Sequence, residues 1–194
     1  LALALAAPGR CAEVLALSDV HGRVAELPRL AAALRPVRDR GPSLLLDAGD
    51  SLQGTLEAGL SRGRAVVESY AALGVDAAAV GNHDFDFGTD VLRERVAASP
   101  YPFLAANVVD DATGLPPAWE NLAPARILRP PGGPAVGVFG LSTPETPDLT
   151  MPGNVRGLSF TAAAQEAVRQ ARALRAQGAE LVVGLAHLGG RCRE

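Results

Sequence analysis

The sequence predicts an α/β fold built on a largely parallel sheet. Short apolar runs alternate along the chain with longer segments of helical periodicity, the pattern of repeated strand–helix units. Gly or Pro punctuates most of the junctions between them. The chain has 194 residues, 48% of them hydrophobic and 20% charged, which suits about one globular domain.

The elements follow in order. Residues 13–18 are the first apolar run, and 24–40 keep helical spacing until Gly41-Pro42 stops them. A second run, 43–48, precedes a helix over 64–73 that Gly74 ends. Residues 76–80 read as a third strand and 89–98 as a helix closed by Pro100. A fourth strand covers 103–108. Over 110–134 the composition turns to Pro, Gly and Asp, which predicts a long surface excursion. Residues 126–129 and 135–141 flank Pro130-Pro131-Gly132-Gly133-Pro134 as the arms of a hairpin. Residues 161–177 form the cleanest helix, with Thr161 as N-cap and Gly178 just past its end. The last strand is 181–186. No internal repeat interrupts the series.

Composition excludes several functions. The net charge of −3 argues against a nucleic-acid polymer or an anionic membrane as partner, since both select a basic face. Aromatic residues are only 4%, too few for a base-stacking platform. No apolar run approaches the ~18 residues of a membrane span. All 18 basic residues are Arg, a coding bias that weakens any single Arg as a sign of phosphate recognition.

The ends carry their own expectations. Residues 1–7 alternate Leu and Ala before Pro8-Gly9, and Ala4-Leu5-Ala6 fits a small-x-small cleavage site. Residues 1–12 therefore read as the end of a secretory signal with a lead-in, or as part of a first strand. The first reading points to a periplasmic or secreted protein, with the cytoplasm as the alternative. A start without Met and an end at Glu194, just after Gly189-Gly190, suggest a fragment. Cys11 and Cys192 lie beyond opposite strand ends. Strands separate their ends by ~17–20 Å and a disulfide needs Cα atoms within ~7 Å, so no bridge is expected.

Polar groups follow four of the strands directly. They are Ser18-Asp19-Val20-His21-Gly22, Gly49-Asp50-Ser51, the stretch from Gly81-Asn82-His83-Asp84 through Phe85-Asp86-Phe87-Gly88, and His187-Leu188-Gly189-Gly190. Open α/β sheets bind ligands beyond the carboxyl ends of their strands, so these loops can share one cavity. Asp, His and Asn together suit manganese, zinc or iron better than a thiolate site would. Asp19 and His21 are two apart, and on an extended segment both point the same way. Asn82 and His83 are neighbours and point apart, one toward a metal and the other toward substrate. All three histidines of the chain lie in these loops. Taken alone, Asp19 or Asp50 is an ordinary Asx-turn residue. Asp47 and Asp76 read as turn or strand-edge residues, Asp84 and Arg23 as solvated, and Tyr101 and Trp119 as packing.

In this order the motifs resemble the calcineurin-like metallophosphoesterases, and within them the 5'-nucleotidase branch. The similarity includes Asp50-Ser51-Leu52-Gln53-Gly54-Thr55, the stretch from Gly81 to Gly88 and Pro102-Phe103-Leu104-Ala105-Ala106-Asn107-Val108. It continues through 136–143 and Leu185-Ala186-His187-Leu188-Gly189. It implies a four-layer α/β/β/α metallophosphatase fold, incomplete at the C-terminus, with residues 13–194 as a partial catalytic domain. It also implies two divalent ions, manganese or zinc before magnesium, cobalt, iron or calcium. Asp19 and His21 would hold one ion, Asn82 and His187 the other, and Asp50 would bridge them. His83 with Asp86 matches the branch's catalytic pair, and Asn82 and His83 would also contact substrate. Ser18 stands where the branch more often has Asn.

The implied reaction is release of phosphate from a small-molecule nucleotide. Cyclic nucleotides, UDP-sugars or sulfur esters are alternatives, and a non-catalytic metal- or partner-binding remnant is an alternative of another class. The family closes its site with a downstream Gly-His-x-His motif and adds a nucleoside-binding domain, and the sequence reaches Glu194 before either. These residues alone are therefore expected to be inactive.

Overall fold

Alternation along single strands sets the layering. Leu45 joins one buried cluster while Leu44 and Leu46 join another. Successive strand residues face opposite sides of a sheet, so this strand must be covered on both faces. Ala78 against Ala77 and Ala79, and Phe103 against Leu104, split between the same two clusters.

A computed structural model describes residues 3–7 and 10–189. Its strands are β1 (Leu3–Ala7), β2 (Arg10–Leu17), β3 (Ser43–Asp47), β4 (Ala77–Ala79), β5 (Phe103–Leu104) and β6 (Val108–Asp110). They continue as β7 (Leu122–Ala123), β8 (Ala125–Leu128), β9 (Val136–Ser142), β10 (Leu158–Phe160) and β11 (Leu181–His187). The helices are α1 (Leu27–Arg38), α2 (Leu56–Ser61), α3 (Arg64–Leu73), α4 (Thr89–Ala98), α5 (Thr146–Leu149) and α6 (Ala163–Ala176).

One sheet has the order β1-β2-β3-β4-β5-β7, parallel from β2 onward with β1 antiparallel at its edge. A second has the order β11-β9-β8, in which β9 runs parallel to β11 and antiparallel to β8. β6 and β10 form a separate antiparallel pair. Leu34 of α1, Tyr70 of α3 and Val96 of α4 cover one face of the larger sheet. Its other face packs Leu46 and Leu104 against Val136, Val138 and Leu185 of the smaller sheet. The far face of β9, through Phe139 and Leu141, packs on Leu174 of α6. The order is helices, sheet, sheet, helix: four α/β/β/α layers.

Local chemistry explains where the elements depart from expectation. The segment 103–108 is two strands because Asn107 breaks the run. Its Nδ2 donates to the carbonyls of Ser142 and Thr161 and its Oδ1 accepts from the Ser142 N–H, carrying the chain to the second sheet. Thr161 is not the cap of α6. Its N–H and hydroxyl both donate to the Asn107 carbonyl, leaving Ala162 at the cap without a side-chain bond. The excursion over 110–134 is partly ordered by pairing, since β7 joins the large sheet and β8 the small one. The predicted hairpin forms, with Leu128 opposite Val136. Helix α2 was not anticipated; Thr55 caps it by accepting from the Ala58 N–H. Leu3–Ala7 is paired with β2 as an edge strand. Cys11 is an exposed free thiol, and Cys192 lies outside the described residues. Among the described residues, no helix is long and apolar enough to cross a membrane.

The two sheets meet backbone to backbone at Gly140, whose carbonyl accepts from the Ala106 N–H at 2.8 Å. A Cβ on Gly140 would lie 2.1 Å from the Leu104 carbonyl oxygen. Gly140→Ala is therefore expected to cost about 1–3 kcal/mol, toward the upper end because main chain must move. Urea unfolding measures it; an unchanged midpoint would show that the sheets are not held this closely.

Candidate metal centre

β2, β3 and β4 are parallel neighbours, so their carboxyl ends share one edge, and β11 delivers His187 from the second sheet. The loops leaving β2 and β3 run side by side. The N–H groups of Asp19, His21 and Gly22 donate to the carbonyls of Gly49, Asp50 and Ser51 at 3.1, 3.0 and 2.9 Å. Thr55 ties the same turn by donating its hydroxyl to the Gly22 carbonyl.

Asp19, His21 and Asp50 all adopt positive φ, at 54°, 47° and 58°. Left-handed backbone costs a residue with a Cβ roughly 1–2 kcal/mol. Three such residues together mark a constrained site. Asp19 and His21 are therefore not on an extended segment, yet their side chains still converge, with Asp19 Oδ1 3.8 Å from His21 Nε2.

The third loop is bound to the second by Asp84. This carboxyl is not solvated: it is 1% exposed and accepts four backbone N–H bonds. They come from Gly81 at 2.8 Å, Asp50 at 3.1 Å, and Ser51 and Leu52 at 2.9 Å each. Burial and the charge of Asp50 push its pKa up while these donors pull it down, and the net direction is upward. Only glycine fits at 81, where a Cβ would stand 2.2 Å from Asp50 Oδ1.

Asp50 sits at the centre. Its Oδ1 accepts the His83 N–H at 2.8 Å, and its Oδ2 lies 3.1 Å from His187 Nε2. Burial raises the Asp50 pKa, but the hydrogen bond and charge of His187 and the His83 N–H outweigh it, so Asp50 ionises more easily than a free carboxyl. The bond to Asp50 raises the His187 pKa against the opposing effect of burial. His187 Nδ1 is 3.2 Å from the Ala48 carbonyl, which keeps that nitrogen as the donor and aims Nε2 into the site.

These groups fit a metal ion. Ligand atoms of Asp19, His21 and Asp50 lie within 4.8 Å of one another. Asn82 is 7% exposed and lines a cavity of about 270 Å³ together with Ser18, Asp19, Leu149 and His187. Asn82 on that lining puts an amide oxygen among the donors available to an ion there. Oxygen and imidazole donors without a thiolate suit a hard or borderline divalent ion.

His83 stands beside this group, its ring edge-on to that of His21 with centroids 5.5 Å apart. Its Nδ1 is 2.8 Å from Asp86 Oδ2. Burial lowers the His83 pKa, but the Asp86 hydrogen bond and the charges of Asp50, Asp86 and Asp84 raise it overall. Two residues that sequence reasoning missed hold Asp86. Thr150 donates to its Oδ1 at 2.9 Å, and Asn154 Nδ2 donates to its carbonyl at 2.9 Å. Asp47, the last residue of β3, is fully buried beneath the loops, so its strand-edge reading is corrected. Asp76 does sit at a strand edge, accepting the Leu45 N–H. Arg23 is exposed, Tyr101 is buried, and Trp119 packs on the helix-side core.

The Asp47 Oδ1 atom and the buried Tyr70 hydroxyl adjoin each other outside full hydrogen-bond geometry. Burial, with the charge of Asp84, pushes the Asp47 pKa well above the carboxylate range. The folded protein then holds a proton that the unfolded chain releases near pH 4, so the group's contribution to stability falls as pH rises from there. Asp47→Asn keeps the shape without that liability. Its melting temperature relative to the parent is expected to rise as pH climbs above about 4. A difference independent of pH would mean that Asp47 ionises normally.

The comparisons with known proteins agree with this geometry. The sequence profile for calcineurin-like phosphoesterases matches residues 12–190. A snake venom 5'-nucleotidase from Gloydius brevicauda is 32% identical over 97% of this chain and 34% of its own length. Among solved structures, a 5'-nucleotidase precursor from Thermus thermophilus superposes with a TM-score of 0.78 at 28% identity. That match covers 91% of this chain and 37% of the other. The sulfate thiohydrolase SoxB, also from a Thermus species, gives 0.71 at 28% identity, over 89% of this chain and 30% of that one. The chain thus spans about a third of the length of the curated relatives it matches. On the profile match and the venom relative, with the loops at this sheet edge in accord, the chain belongs to the calcineurin-like phosphoesterase family.

Proposed function

We propose that this chain carries the metal-binding part of a phosphoester hydrolase that releases phosphate from nucleotides at a dinuclear centre. The carrying observation is Asp50, whose carboxylate has His187 at 3.1 Å and also belongs to the ligand cluster with Asp19 and His21. One carboxylate between two ligand sets suits a bridge. Asp19 and His21 would hold one ion, Asn82 and His187 the other, with manganese or zinc the expected metals. When bound, such a pair clamps phosphate oxygens and makes water nucleophilic at neutral pH.

The chain's own residues supply the rest. Asp86 engages Nδ1 of His83, which leaves Nε2 as the nitrogen that can hold a proton for the departing oxygen. The raised His83 pKa favours the protonated ring this role needs. Asn82 and His83 would meet the substrate at the cavity mouth. Likeness to 5'-nucleotidases supports a nucleotide as substrate, and likeness to a venom protein supports a periplasmic or secreted location.

The test is phosphate release from AMP by the full chain as its gene encodes it, with and without manganese. His83→Ala is expected to lower kcat by ~10²–10⁴, the usual scale of general acid–base help. Unchanged turnover would remove His83 from the reaction. Asp50→Asn is expected to lose bound metal together with activity. Metal analysis showing both ions retained would sink the bridging role. Metal-dependent cleavage of a sulfur ester, with none of AMP, would move the assignment toward the SoxB-like reading.

A further inference from the structure

We propose that Thr150 is a positioning residue for protonation of the leaving group, acting through Asp86 on His83. This rests on the reading of His83 and Asp86 given above. A carboxylate turns easily about its last torsion, whose energy profile is broad and roughly two-fold. A single bond from His83 would leave Asp86 free to turn. Two bonds fix it: His83 Nδ1 engages Oδ2 at 2.8 Å and the Thr150 hydroxyl donates to Oδ1 at 2.9 Å. The Thr150 hydroxyl makes no other hydrogen bond among the described residues, so its geometry is committed to Asp86.

The clamp also reaches the main chain. Asn154 Nδ2 donates to the Asp86 carbonyl at 2.9 Å, and the Asn154 carbonyl accepts the Thr89 hydroxyl at 2.6 Å at the start of α4. Asp86 is thus gripped by side chain and backbone from one distant stretch that runs from the end of α5 through the turn at Pro152–Val155. Thr150 is half-buried between exposed Leu149 and Met151, while Val155 at the far end of the stretch is buried in the helix-side core. Between buried Thr146 and buried Val155, the bonds to Asp86 tie the stretch to the site.

The consequence is specific to the leaving group. A ribose or alkyl oxygen needs a proton to depart, whereas p-nitrophenolate leaves without one. Loss of the Thr150 hydroxyl lets the His83–Asp86 pair misalign, and the penalty falls on esters that need the proton.

The experiment compares AMP and p-nitrophenyl phosphate, with manganese, in the full chain. Thr150→Val is expected to lower kcat for AMP about tenfold, with KM and the p-nitrophenyl kcat within about twofold. Thr150→Ser, which keeps the hydroxyl, should recover most of the AMP rate. Equal loss on both esters, no loss on either, or a serine variant as impaired as the valine variant would overturn the proposal. His83→Ala in the same assay separates the two levels. If it penalises AMP selectively while Thr150→Val does not, Thr150 alone is excluded. If it does not discriminate between the esters, the reading of His83 fails and the role of Thr150 falls with it. Should Thr150→Val not fold, Thr150→Ala takes its place with the same expectations.

Discussion

The Asp84 carboxyl is the interaction on which the site depends. Four N–H groups from two loops converge on it, and those loops carry Asp50, Asn82 and His83. A buried carboxyl is costly, and one that accepts four N–H groups offsets much of the cost. Removing it would strand four donors at once and uncouple the two loops. The bonds also explain how Asp50 can hold a positive φ. Its own N–H is one of the four, and its carbonyl accepts the His21 N–H, so both sides of the strained residue are fixed. Strained backbone of this kind persists only where its surroundings over-determine it.

Close approach follows from the same constraint. Asp84 can reach the 50–52 backbone only because residue 81 has no side chain to keep the loops apart. Gly140 plays the corresponding part between the sheets, letting β9 sit against Leu104. The second sheet must come that near for β11, paired in register with β9, to carry His187 over Ala48 and Asp50. The position of His187 thus depends on a glycine about fifty residues earlier in the chain, through parallel pairing.

Much of this was legible in sequence where the signal is local. Apolar runs ending in Asp, His or Asn placed Asp19, His21, Asp50, Asn82, His83 and His187 at one sheet edge, and the structure brings them there. The unbroken apolar runs at 44–46 and 77–79 are what a strand covered on both faces requires, and the structure covers both. What stayed hidden depends on partners distant in the chain. Asp84 looks like one more polar residue in a polar motif, because its burial is decided by N–H groups from 50–52. Thr150 and Asn154 sit 64 and 68 residues from Asp86, with no periodicity to flag them. Thr161 has the right chemistry for a cap, but the Asn107 carbonyl competes for its hydroxyl and wins. Asp47 betrays nothing in sequence of the Tyr70 and Tyr101 hydroxyls packed near it.

The arrangement of charge gives the site its direction. Asp50 has Asp84 directly behind it, and Asp47 lies deeper still, each raised in pKa by burial and by a neighbouring carboxylate. Asp50 alone is lowered, because His187 and His83 face it from the cavity side. Ionisation is therefore disfavoured in the two deeper carboxyls and favoured in the one that adjoins Asp19, His21 and His187. A proton on His187 and a cation among Asp19, His21 and Asp50 relieve the same excess, so the two compete for that position. On the metal reading proposed above, such a site would bind an ion more tightly as pH rises, at loops that Asp84 already ties together.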